Sequence, residues 1–87
     1  MPTREELDEE ERRVRELRLV VHLAMSVIAQ DDLTAEQAIE LIRAVRGTAL
    51  RLFPGKELAF DLIYAPRFSR LLDERFGSAL SFAWSGN

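Results

Sequence analysis

Hydrophobic positions recur along most of this chain at spacings of three and four residues, which predicts helices rather than strands. In the first third, Leu7, Val14, Val21 and Ile28 repeat every seven residues, with Leu17 and Ala24 interleaved three residues after Val14 and Val21. This is an a/d seam of the kind that pairs helices, although Glu10 occupies the first d position and shortens its clean part. Thr3 and Glu6 have the spacing of a capping box, and so do Thr34 and Gln37. The two boxes bracket a first helix over 4–30 and start a second at 35, separated by a short polar link. In the first helix the polar surface narrows over 19–29 to Arg15, Arg18, His22 and Ser26, which predicts that this stretch is central to the core.

The second helix is predicted over 35–53, with Ala38, Leu41, Ile42, Val45, Ala49, Leu52 and Phe53 on its buried side. Gly47 in its interior predicts a close crossing with another helix, because glycine is otherwise costly there. Next comes Phe53-Pro54-Gly55-Lys56. A phosphate-binding loop would need a glycine five residues before Gly55, a preceding strand and a hydroxyl residue after the lysine; here the previous glycine is Gly47 and Glu57 follows Lys56. The same residues suit a type II turn, Pro54 fixing the first central position and Gly55 supplying the positive φ of the second.

Beyond the turn, Leu58, Leu62, Ile63, Phe68, Leu71, Leu72 and Phe76 keep helical spacing across Pro66. A proline removes the hydrogen bond to the carbonyl four residues back, here that of Leu62. The third segment, 57–76, is therefore predicted to break near Pro66 into helices over 57–64 and 66–76, with Gly77 as the C′ residue. In the tail, 78–84, Leu80, Phe82 and Trp84 alternate with smaller residues. Alternation suggests an extended segment, while Leu80, Ala83 and Trp84 would equally share one side of a helical turn; in either form the large apolar side chains need a docking place, on the chain's own core or on a partner. The predicted class is all-α: an antiparallel helical hairpin plus a kinked or broken third helical segment, a three- to four-helix bundle completed by dimerisation. The start of the first helix overhangs the shorter second one, and the broad apolar middle of the first needs cover on more than one side.

Composition fits one folded domain: 87 residues, 47% hydrophobic and 31% charged. A core of this size is marginal, and self-association is a common remedy. The absence of cysteine excludes disulfides, thiolate metal sites and thiol nucleophiles. The acidic start lacks the pattern of a secretory signal, and the apolar run over 19–29 is too short to span a bilayer. A cytoplasmic location without membrane attachment is expected. Residues 1–11 hold six acids and one arginine, a balance of −5 within a total of −3, which leaves +2 for the remainder. Eleven of the twelve basic residues are arginine, a choice that base composition of the source explains as readily as phosphate recognition.

Candidate chemistry is sparse. His22 is the only histidine, and neither a metal half-site nor an orienting acid lies one turn from it. Asp61 and Tyr64 lie in an apolar stretch and are expected to pair as polar groups in the core or at an interface. No cofactor is expected. The favoured reading is a non-enzymatic, self-associating protein-interaction module whose partner is a second copy or another protein. Its interface candidates are Leu7, Val14, Leu17 and Val21 of the seam and Leu80, Phe82 and Trp84 of the tail. The alternative is a nucleic-acid-associated adaptor that contacts phosphates through Arg67, Arg70 and Arg75, with an enzyme centred near His22 third. The segment after the Pro-Gly turn would offer acids and aliphatics to a base edge, which argues against nucleic acid.

Overall fold

Capping chemistry sets where the chain turns helical. In the computed structural model, which describes residues 1–77, the Thr3 hydroxyl accepts from the Glu6 amide at 3.1 Å and α1 runs Arg4–Gln30. At the second start both halves of the box form: the Gln37 amide donates to the Thr34 hydroxyl at 3.1 Å, and the Thr34 amide donates to the Gln37 side chain at 3.0 Å. This opens α2, Ala35–Leu52, with Phe53 as its C-cap. At the predicted turn the Lys56 amide donates to the Phe53 carbonyl at 3.3 Å, and Gly55 has φ +80°. That φ belongs to the third residue of a type II turn, where a side chain would be strained.

The third segment divides as its proline requires. α3 covers Glu57–Ile63 and α4 covers Ala65–Phe76, with Tyr64 alone between them and Pro66 in the first turn of α4. Tyr64 serves both helices: its amide donates to Phe60 and its carbonyl accepts from Phe68. Gly77 ends α4 as the C-cap rather than at C′, with φ +99° and ψ 152°, a conformation that is essentially confined to glycine.

All four helices pack together, α1 against α2 and α4, and α3 against α2 and α4. Phe68, Ile28, Ile42 and Leu72 are the largest fully buried side chains, so α1, α2 and α4 meet at one point. Val21, Ala24, Ala38, Ile39, Val45, Ala49 and Phe60 complete the core. Along α2 the buried stripe passes through Ala38, Ile42, Val45 and Ala49 and includes Ile39, which the sequence pattern omits, while Leu41 is only half-buried.

Two expectations are corrected. The stretch 19–29 is not wholly internal: Val21, Ala24 and Ile28 are buried, but Leu19 and Leu23 are 57% and 54% exposed. The other helices cover one side of α1 and do not reach behind it. Gly47 makes no close crossing either, since a Cβ there would meet nothing within 4 Å. The cost of its backbone freedom is therefore uncompensated by packing, and Gly47→Ala is expected to raise stability by about 0.5–1 kcal/mol in urea titrations.

The two ends of α1 differ sharply. At its C-terminus Arg75 donates through Nε to the Ile28 carbonyl at 3.0 Å and through a terminal nitrogen to the Asp31 carbonyl at 2.6 Å. A cation at a helix C-terminus also complements the dipole. Arg75→Ala is expected to cost about 1.5 kcal/mol by chemical denaturation, the low end for hydrogen bonds to a charged group because the Asp31 contact is exposed. At the other end, Arg13 lies over the Phe53 ring at 5.9 Å, level with the end of α2. Residues 4–12 of α1 are exposed beyond that point, a projection of about two and a half turns. Glu9 bridges both Arg12 and Arg13 there, at 4.0 and 3.5 Å, surface pairs that contribute little.

Candidate protein-interaction surface

α3 is bounded by the Pro54-Gly55 turn and by Pro66, so its seven residues make about two turns. Two adjacent residues hold it. Phe60 is buried, with its ring 5.3 Å from that of Tyr64. Asp61 accepts two hydrogen bonds from Arg46 of α2, at 2.9 and 3.0 Å. This bidentate geometry is the strong form of the pair. It raises the Arg46 pKa above its ordinary value, chiefly through the Asp61 hydrogen bond and then the Asp61 and Glu57 charges, with partial desolvation opposing. A raised arginine pKa contributes stability that is complete below the ordinary value and is lost only as pH rises through the raised one. Asp61 is thus paired as expected, but its side chain is 43% exposed and lies at the surface rather than in the core.

With Phe60 and Asp61 facing the body, the rest of α3 faces out. Leu58, Leu62 and Ile63 are 71%, 68% and 57% exposed. Ile63 and Ala59 also line an apolar groove of about 270 Å³ with Val14 and Leu17 of α1 and Leu50 and Phe53 at the end of α2, and Arg18 and Lys56 supply its charge. The groove and the outer face of α3 form a continuous apolar surface of the kind that marks contact sites.

The four seam residues separate along α1: Leu7 is 49% exposed on the projection, Val14 and Leu17 are half-buried in the groove, and Val21 belongs to the chain's own core. Leu80, Phe82 and Trp84 lie outside the described residues. The sequence pattern missed Leu58, Leu62 and Ile63 as surface residues. A signal was present, because Glu57–Ile63 carries apolar residues all round, and so short a helix has only one buried side.

A second, shallower cleft of about 340 Å³ lies between α1 and α4 and brings His22 and Ser26 together with Arg67, Arg70 and Glu74. Arg67 also lies 6.0 Å from the centre of the Tyr64 ring. Arg75, the third arginine of the phosphate reading, is instead engaged at the end of α1. His22 is exposed. Among the described residues no group of three or more histidine or acidic side chains could hold a metal ion, and no helix is long and apolar enough to cross a membrane. No protein family, characterised protein or solved structure matches this chain.

Proposed function

We propose that this chain is a non-enzymatic protein-interaction module that associates with a second copy of itself through the outer face of α3 and the adjoining groove. In this reading an antiparallel hairpin of α1 and α2, covered by α3 and α4, is completed by dimerisation. The observation that carries the proposal is the exposure of Leu58, Leu62 and Ile63 beside an apolar groove, on a helix in which, among the described residues, Phe60 alone is buried and Asp61 alone half-buried. Covering such side chains gains about 1.5–3 kcal/mol each. Charge supports a second copy as the partner: the projecting start of α1 is acidic, whereas Arg18 and Lys56 line the groove. Two-fold pairs are the commonest oligomers, and they use the same patch on both members.

Absolute molar mass from light scattering over micromolar concentrations tests the reading, at low and at high salt. The expected result is twice the chain mass under both conditions, because apolar contact dominates. A monomer throughout the range rejects the proposal. Tight binding of duplex or single-stranded nucleic acid that weakens steeply with salt would favour the phosphate-contact reading instead.

A further inference from the structure

We infer that the projecting start of α1 in one copy, residues 4–12, lies across the groove of the other, so that the two α1 helices run antiparallel about a two-fold axis. The inference rests on the self-association proposed above and names the segment that occupies that site.

The chain carries both halves of this contact and cannot join them within itself. Leu7 is the only apolar side chain in residues 4–12, and it is 49% exposed. It shares a face of α1 with Val14, two turns farther on, and Val14 and Leu17 line the groove. Along the helix Leu7 is about 10 Å from Val14 and about 15 Å from Leu17. α1 is one continuous run over Arg4–Gln30, with neither proline nor glycine at which to fold back, so Leu7 stays outside its own groove. A second chain meets no such bar. With the two-fold axis passing near residues 11 and 12, Leu7 of each copy falls opposite Val14 and Leu17 of the other, and Ala59 and Ile63 form the far wall of the same groove.

Charge sets the direction. Residues 1–11 carry a balance of −5, whereas residues 12–18 hold four arginines and one glutamate, a balance of +3. An antiparallel pair places each acidic block against the basic block of the other copy, while a parallel pair opposes like charges. Within the chain Glu9 takes up Arg12 and Arg13. Among the described residues Glu10, Glu11, Arg15, Arg18 and Lys56 form no ion pair, and all five are exposed. Arg18 and Lys56 line the groove, and among the described residues no acid does. Glu10 fits the same scheme: a charged residue at a seam position costs stability but specifies how two helices register. Matched charges of this kind give orientation more than affinity, which the apolar contacts supply.

Charge exchange between two variants tests the contact. One variant carries Glu10→Lys and Glu11→Lys, the other Arg18→Glu and Lys56→Glu; all four side chains are exposed, so both variants are expected to keep the helix content of the parent. Molar mass from light scattering is followed over one dilution series for the parent chain, for each variant alone and for their equimolar mixture. Each variant alone opposes like charges at both copies of the contact, which is expected to raise the dissociation constant roughly tenfold or more. The mixture restores opposite charges at both and is expected to form pairs with an affinity near that of the parent. Variants that self-associate as tightly as the parent, or that weaken without recovery in the mixture, overturn the contact and leave self-association to another surface. A parent chain that is monomeric throughout overturns both readings, whatever then fills the groove.

Discussion

Phe68→Ala is expected to remove about 3–5 kcal/mol of stability, on the order of half of what a small domain possesses. Phe68 is completely buried with Ile28, Ile42 and Leu72, where α1, α2 and α4 meet. Truncation there deletes an aromatic ring from the only place, among the described residues, where three helices contribute large fully buried side chains. With so few residues, no second core layer takes up the loss, and the cavity persists or the helices separate. Thermal unfolding monitored by far-ultraviolet dichroism should show a midpoint lowered by about 15–30 °C. A change under about 1 kcal/mol would mean that the site collapses to fill the gap, and that the junction is looser than its burial indicates.

Replacing Leu58 and Leu62 together by glutamate is expected to weaken self-association on the order of 100-fold or more while leaving the fold unchanged. Both side chains are more than two-thirds exposed in the single chain, so neither substitution removes buried contacts within it. In a dimer that covers them, each glutamate would be desolvated against aliphatic surface without a partner, a far larger penalty than the loss of a methyl group. Sedimentation equilibrium of the double variant beside the parent chain measures the shift, and helix content and urea midpoint serve as controls. A dimer of undiminished affinity would move the contact surface away from α3. Loss of helix content in the double variant would mean that these leucines support the single chain, contrary to their exposure.

The starts and ends of the helices were legible in the sequence because they depend on neighbours a few residues apart. Thr3, Thr34, Pro54, Gly55 and Pro66 each act within one turn, and each marks a boundary of the fold. The assignment of apolar residues to inside or outside was less legible. Leu58 and Leu62 are apolar like core residues, and among the described residues no helix lies beyond α3 to cover them. Ile39 and Leu41 flank the α2 stripe on opposite sides, and the position of α1 and α4 decides which is buried. Arg46 with Asp61, and Arg75 with Ile28, join residues 15 and 47 positions apart, a separation that no helical period connects. The candidate surface was visible in part: Val14 and Leu17 line its groove, but its most exposed members, Leu58, Leu62 and Ile63, stand out in the sequence only as helical positions of the third segment.

Pro66 has a further effect on what can bind α3. Having no amide hydrogen, it leaves the Leu62 carbonyl without the donor that a continuous helix would supply. That acceptor belongs to one of the most exposed leucines on the apolar face. A partner that seals this face with hydrocarbon alone strands the carbonyl at a cost of about 1–3 kcal/mol. One that brings an N–H or O–H to the same point, or keeps a water there, avoids the penalty. In the proposed association, a segment that carries a hydrogen-bond donor at the position of Leu62 is therefore expected to bind this face more tightly than an apolar segment without one.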